Sequence, residues 1–366
     1  MDTAQQTLAY RIALTMVDGV GGVNGRNLLA YLGSPEAVFR ASGTQLMKVP
    51  GIGEKLARKV KEFKNWEKVE AEIQFIEKHG VKPIFFTDKN YPERFRHHND
   101  TPILFYFKGN ANLNPKRTVA IVGTRKSTDY GKLLTEKLVA DLTPYGPTIV
   151  SGLAYGIDIV AHKAALQHNV PTIGVTGHGL NRIYPAMHRN IADKMTEQGG
   201  LLSEFSTSAY VGTENFALRN KLVAALSDAV IVVESAVDGG ALITANMAND
   251  YNKEVFAFPG RVGDKHSEGC HQLIKNHKAA LIESAADVIK ALGWDDDVKP
   301  KQSQLLFDLS DDEKVVVDYL RSKEPVQIDA LTDGVNMQPG MLAATLLGLE
   351  MKGAVLALPG KRYRVV

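Results

Sequence analysis

Seven short apolar runs recur between residues 119 and 282, at 119–122, 148–150, 172–175, 201–203, 229–233, 255–258 and 280–282, with helix-like segments between most of them. A run this short and this continuously apolar reads as a strand covered on both faces. Sustained strand–helix alternation implies a doubly wound parallel sheet. The predicted fold class is therefore α/β, with an extended Rossmann-like sheet at its centre. Ligands of such sheets sit beyond the carboxyl ends of the strands, so the residues that follow each run are where function is expected.

The first run, Val119 to Val122, stops at Gly123, which permits a sharp turn. Thr124, Arg125, Lys126, Ser127 and Thr128 then crowd the mouth of the next helix. A helix start offers unpaired N–H groups and a partial positive charge, so it favours anions. The pattern predicts either a phosphate site or a turn with ordinary solvated charges. Later runs end in the same way. Ser151-Gly152 follows the second, Thr176-Gly177-His178-Gly179 the third, and Ser203-Glu204 the fourth, leading on to Asn215, Phe216, Arg219, Asn220 and Lys221. Glu234 follows the fifth, leading to Gly239, Gly240 and Thr244, and Pro259-Gly260-Arg261 follows the sixth. Five such ends on one rim predict a polyanion or nucleotide site. Phe216 and Tyr184 are candidate stacking faces, and a basic groove with interleaved aromatics suits a single strand. Phe216 reads equally as a core residue anchoring the Arg219 loop.

With 366 residues the chain exceeds one typical domain, yet its net charge is only +2. Any basic surface must then be local. The one cysteine, Cys270, excludes an intrachain disulfide and a zinc site built on several thiolates, and suits a reducing cytoplasm. No signal-peptide pattern and no membrane-length apolar stretch occur, so a cytoplasmic location and no membrane partner are expected. Gly-x-x-x-x-Gly-Lys-Ser/Thr, a three-glycine dinucleotide fingerprint and His-Glu-x-x-His are all missing. No catalytic residue, metal or cofactor is expected. His162 and His178 read as structural hydrogen-bonding residues. The rim carboxylates Asp158, Glu204 and Glu234 could be read as a metal or acid–base cluster, but structural roles are favoured: Asp158 follows a helix start and complements its dipole, and Glu204 could pair with a rim arginine.

The flanks differ from the centre. Residues 1–80 look helical, with Leu8, Ile12, Leu14 and Val17 spaced for one helix face. Residues 46–60, LMKVPGIGEKLARKV, resemble a helix-hairpin-helix, and 16–29 resemble a degenerate second copy; two tandem copies form a SAM-like domain. Either they touch DNA phosphates or they serve as scaffold. Residues 81–110 read as a connector with two strand-like runs, before a core that runs to 293. Residues 294–309 read as a linker whose Leu305, Leu306 and Phe307 could dock back. Residues 310–366 resemble a winged helix, opening on the Ser310-x-x-Glu313 capping signature.

Taken together, VAIVGTRKSTDYG, IVSGLAYGIDIVAHKAAL, TIGVTGHGLNRIYPAMHRNIA, GGLLSEF, NFALRNKLVAALSDAVIVVESAVDGGALITA and EVFAFPG resemble the DNA-processing protein A family, also called DprA or Smf, almost continuously from 119 to 260. Two departures are Asp238, where the family more often has Ser, and Lys221, where Arg is common. The resemblance implies a protein that binds and protects single-stranded DNA and loads the RecA recombinase during natural transformation. It implies a homodimer that uses neither metal nor nucleotide hydrolysis. The expected phosphate-binding set is Gly123, Thr124, Arg125, Lys126, Ser127, Ser151, Gly152, Asn215, Phe216, Arg219, Asn220, Lys221, Gly239, Gly240 and Thr244, with Arg125 and Arg219 as main anchors. With the rim motifs confined to the centre, a fragment of 81–293 is expected to fold and bind. Two rivals stand beside this reading. One is a nucleotide hydrolase of the lysine-decarboxylase-like type, working through Gly239, Gly240, Thr244 and Glu204. The other is a sequence-specific regulator acting through the winged helix, whose recognition helix carries only Lys352.

Overall fold

The computed structural model describes residues 3–295, 309–322, 325–358 and 360–365. They form two compact units, divided after residue 299.

The first unit is built on a nine-stranded sheet. In chain order its strands are β1 (Lys82–Phe85), β2 (Leu104–Gly109), β3 (Thr118–Val122), β4 (Thr148–Gly152), β5 (Thr172–Val175), β6 (Gly200–Ser203), β7 (Ala229–Val232), β8 (Glu254–Ala257) and β9 (Ala280–Leu281). Their spatial order is β1-β2-β6-β5-β4-β3-β7-β8-β9. The seven strands from β6 to β9 in that order are parallel, as the alternation predicts. Alternate residues of β3 feed opposite faces. Ala120 and Val122 pack with Leu222, Val223, Ala241 and Ala245 of the helices Thr213–Leu226 and Gly240–Asp250. Val119 and Ile121 pack with Leu138, Val139, Ile157 and Ala161 of the helices Asp129–Leu142 and Ile157–Gln167. Each such buried Val, Leu or Ile side chain contributes roughly 1.5–3 kcal/mol, and each alanine less.

The stretch 81–110 is more than a connector. β1 pairs antiparallel with β2, and β2 pairs antiparallel with β6, so the sheet is mixed rather than wholly parallel. The helical region rests on this added edge. Val81, Phe85, Ile103, Leu104 and Tyr106 share one apolar cluster with Ile12, Leu14, Leu28, Leu46 and Ile73. A fragment starting at 81 therefore bares an apolar face that the full chain covers. The two hairpins of this region are used differently. Gly22, in the first, lies so close to the Asp100 and Thr101 backbone that a Cβ would collide with it, and Arg26 donates to the carbonyls of Asn99 (2.9 Å) and Thr101 (2.5 Å). The second hairpin keeps Gly51 in a left-handed turn (φ +84°), with Asn27 donating to Pro50 O at 3.0 Å.

Most of the expected linker, residues 296–308 with Leu305, Leu306 and Phe307, lies outside the described residues. Trp294, assigned to it, is buried in the core cluster of the sheet's second face.

The second unit has three helices, Asp311–Ser322, Ile328–Val335 and Pro339–Met351, and a small antiparallel sheet of β10 (Val326–Gln327), β11 (Val355–Leu358) and β12 (Arg362–Val365). Val316, Leu320, Leu331, Leu342, Leu346 and Leu349 form its core. The capping signature is realised: Ser310 N donates to Glu313 Oε2 (2.8 Å) and Glu313 N to Ser310 Oγ (3.3 Å). On the third helix Met341, Leu347 and Met351 are exposed. Lys352, just beyond it, is held by Glu313 at 2.7 Å.

Candidate nucleic-acid interface

Strand order reverses between β3 and β7, and the turns that follow these two strands part there, which opens the crevice such sheets use for ligands. A cleft of about 340 Å3 lies at that point. Gly123, Thr124, Arg125 and Lys126 line it after β3, and Gly152, Ala154 and Asp158 after β4. Arg219 and Asn220 enter from the helix Thr213–Leu226, and Asp238, Gly239, Gly240 and Thr244 after β7. A slot of about 60 Å3 adjoins it, lined by Arg125, Tyr155, His178, Tyr184, Phe216 and Arg219 among others. Ser127, Ser151, Asn215 and Lys221 line neither cavity. The rim is also narrower than five strand ends: the Pro259-Gly260-Arg261 turn after β8 faces elsewhere, its Gly260 backbone tied to His271.

The turn after β3 is locked on both sides. Thr124 N donates to Glu234 O (2.7 Å), and Ile157 N to Thr124 O (3.2 Å). Gly156 (φ +77°) is pressed against the backbone of Thr124 and Arg125, where any Cβ would clash. This fixes the turn and leaves the Arg125 and Lys126 side chains exposed.

The helix that follows does not offer its N-terminus to a ligand, contrary to the sequence expectation. The buried Glu234 carboxylate already occupies it, accepting from Thr128 N at 3.0 Å and from the Thr128 hydroxyl. Gly131 is required there, because a Cβ would strike that carboxylate. An internal anion thus satisfies the dipole. The helix start that faces the cleft is instead that of Gly240–Asp250, whose N-cap Gly239 supplies no side-chain cap and whose Gly240 has open space where a Cβ would stand.

Arg125 and Arg219 are unlike. Arg125 is exposed, with its guanidinium 5.7 Å from the Phe216 ring centroid. Phe216 is half-buried and lies 6.0 Å from the Tyr184 ring. Arg219 is only 6% exposed. Its Nη1 donates to Val175 O at 3.0 Å, and its Nε has no partner among the described residues. It stands beside the buried Asp158, and a Cβ on Gly152 would collide with both. Burial pushes the Asp158 carboxyl up, against the Arg219 charge, Ser151 and the Ala154 N–H. Burial likewise lowers the Arg219 pKa, which Asp158 opposes.

The other candidates hold the frame. Ser151 Oγ donates to Ile121 O (2.6 Å), Asn215 Nδ2 to Tyr210 O (2.6 Å) and Asn220 Nδ2 to Gly240 O (3.4 Å). Lys221 turns away from the cleft and donates to Asp100 O (2.8 Å). Among the described residues Glu204 meets no arginine. It sits within the electrostatic reach of Lys221 and Asp100, and burial pushes its carboxyl up to about 7. His162 is buried between Thr172 Oγ1 (2.7 Å) and Gly152 O (3.1 Å), with burial pushing its pKa down to about 4. His178 Nδ1 donates to Gly179 O at 3.0 Å. Both histidines are engaged in hydrogen bonds within the fold. Sequence reasoning missed Tyr155 and Asp238 as lining residues and Glu234 as the internal anion. Of these, only Asp238, beside the glycine pair, carried a signal. Among the described residues no three His, Cys, Asp or Glu side chains converge as a metal site, and no helix is long and apolar enough to cross a membrane.

Known proteins resemble this chain in sequence and fold. The family model described as DNA recombination-mediator protein A matches residues 82–293. The chain belongs to that family. Its flanks match a SAM-like helix-hairpin-helix tandem (12–63) and a DprA winged helix domain (300–361). Among family relatives, Protein Smf of Synechocystis is 32% identical over 99% of both chains, and Protein Smf of Escherichia coli 33% over 81% of both. The X-ray structure of DNA processing protein A from Streptococcus pneumoniae superposes with a TM-score of 0.66 at 30% identity, covering 77% of this chain and 97% of that one. DNA processing protein A from Helicobacter pylori, described for its single-stranded DNA binding mode, gives 0.53 at 32%, covering 58% and 95%.

Proposed function

We propose that this chain binds single-stranded DNA across the cleft and slot. In this reading it protects incoming DNA and hands it to the RecA recombinase during natural transformation or recombination. One juxtaposition carries the reading: exposed Arg125 stands over Phe216, with Tyr184 beyond it, where cleft and slot meet. A cation beside two aromatic side chains serves a phosphate and its base together, without a sequence code. The single-strand binding of the Helicobacter pylori relative supports the same ligand.

Arg125 and Lys126, with the open helix start at Gly239 and Gly240, take phosphates. Phe216 and Tyr184 take bases. Gly123, Thr124, Gly152, Asn220 and Thr244 form the wall, and Arg219 charges the floor from within. Ser127, Ser151, Asn215 and Lys221 act as supports. The work is binding rather than chemistry: of the two cleft carboxylates, Asp158 stands against Arg219 and Asp238 lies exposed at the rim, and the neighbouring histidine His178 is hydrogen-bonded to backbone. We assign 81–293 as the DNA-binding core and 1–80 and 310–366 as accessory domains, in a cytoplasmic homodimer.

Fluorescence anisotropy with a labelled dT oligonucleotide and its duplex tests this. The expected result is tight single-strand binding that Arg125→Ala weakens. Equal affinity for duplex, or release of free base from nucleoside monophosphates, would overturn it in favour of a duplex binder or a hydrolase.

A further inference from the structure

The segment between β6 and the helix Thr213–Leu226, residues 204–212, delivers Phe216 and Arg219 to the cleft, yet it is held largely by polar contacts. Asn181 Nδ2 donates to Thr207 O (3.3 Å), the Ser206 backbone closes over Gly179, and Asn215 holds Tyr210 O at the far end. Tyr210 itself is 80% exposed. The strongest anchor comes from the helical domain. Glu72, on the helix Trp66–His79, is 1% exposed. Its Oε2 accepts from Thr207 N at 2.7 Å and also from the Thr207 hydroxyl.

This carboxylate is expensive as a stabilising device. Burial pushes its pKa up, and only the two Thr207 donors oppose that. A buried carboxylate without a cation is destabilising relative to an apolar side chain of similar size, unless its hydrogen bonds fix something that packing alone would leave loose. What these bonds fix is the midpoint of the segment that positions Phe216. The same domain also reaches the far end of that helix. Gly22 packs on Asp100, whose carbonyl accepts from Lys221 at 2.8 Å. The helical domain therefore grips the DNA-site helix through both the loop that enters it and its later turns.

We propose that Glu72 is a positioning residue for the DNA site, holding residues 204–212 so that Phe216 stands ready beside Arg125; this rests on the single-strand reading above. The helical domain then contributes to binding without touching the strand. Its effect runs through preorganisation, which spares the ligand the cost of ordering the loop.

The test uses the full chain and a labelled dT oligonucleotide. Wild type, Glu72→Ala, Glu72→Gln, Phe216→Ala and the double variant Glu72→Ala/Phe216→Ala are compared by anisotropy, with amide hydrogen exchange of 204–216 measured without DNA. Glu72→Ala is expected to weaken binding about tenfold, the worth of one charge-assisted hydrogen bond, and to speed exchange across the loop. Glu72→Gln keeps an acceptor for Thr207 N and should restore both readouts to within about threefold. The double variant should bind within about twofold of Phe216→Ala, because both changes act through one ring. Thr207→Val removes the hydroxyl alone and gives a milder loss with a fold that survives, should Glu72→Ala melt too early. Wild-type affinity and exchange in folded Glu72→Ala or Thr207→Val, beside a weakened Phe216→Ala, would overturn the positioning role and leave the site standing. Unchanged affinity in Phe216→Ala would overturn the site reading and the positioning role with it.

Discussion

Replacing Arg219 by Ala separates a charge that touches DNA from one that holds the cleft together. The substitution removes the bond to Val175 O and leaves Asp158 buried without its cation. Breaking a buried charge pair from one side costs about 3–5 kcal/mol, a large share of the roughly 5–15 kcal/mol that hold a domain together. At about 2–4 °C per kcal/mol for a unit of this size, the melting temperature should fall by about 10 °C. The loss should be larger at pH 8 than at pH 5. With Arg219 gone, Asp158 loses the strongest influence that favours its ionised form and keeps only Ser151, the Ala154 N–H and the weaker pull of Arg125, so its already raised pKa climbs further and the native state binds a proton that the unfolded chain releases. Arg219→Lys should recover part of the stability, since it returns the charge without the fork. For protein still folded at the assay temperature, the slope of log affinity against log salt should match wild type, because this guanidinium is engaged inside. Melting curves and salt-titrated anisotropy decide it. An Arg219→Ala protein that melts like wild type, with a slope shallower by about 0.7, would refute the internal role and make Arg219 a phosphate contact.

Arg125→Ala should lower the salt slope by about 0.7 and weaken binding to dT, dA and mixed strands by similar factors, with an unchanged melting temperature. Phe216→Ala should lose about 1–3 kcal/mol of binding in anisotropy titrations with little change in slope; a matching loss of thermal stability would mark it as a core anchor instead. Asp238, exposed at the cleft beside the open helix start, repels phosphate, so Asp238→Ser should tighten binding by about 0.5–1 kcal/mol at low salt and less at high salt. Glu204, pushed up to about 7 in the folded protein, contributes stability below the unfolded value near 4.3 that is lost as pH rises toward 7. Melting temperature should fall across that window by the equivalent of about 2 kcal/mol, and Glu204→Gln should flatten the fall.

The doubly wound sheet was legible because its strands are short apolar runs with turn residues at their carboxyl ends, a pattern that tertiary context had no reason to override. The edge strands were not. The runs at 83–86 and 103–107 read as part of a connector, since what makes them sheet is the pairing of the second with β6, about a hundred residues further on, and of the first with the second. The cleft was legible as a set of strand ends, and ten of the expected residues line it. What the sequence could not say is which charges are spent internally. Arg125 and Arg219 are the same residue type in similar motifs, yet one faces solvent and the other is buried against Asp158. The helix start after β3 carried an anion-site pattern, and the anion proved to be Glu234, from a strand end more than a hundred residues away. Such pairings depend on which loops the fold brings together, and local spacing does not encode them.

In the proposed complex, single-stranded DNA lies across the β3–β7 cleft with bases against Phe216 and Tyr184. Photo-cross-linking of the full chain to a 5-iodouracil-substituted dT oligonucleotide, with mapping of the linked peptides, tests it most directly. The predicted result is linkage at Phe216 or Tyr184 that fades as salt rises and is reduced in Arg125→Ala. Linkage confined to the hairpin around Gly51 or to the winged helix, with none at the cleft, would contradict it.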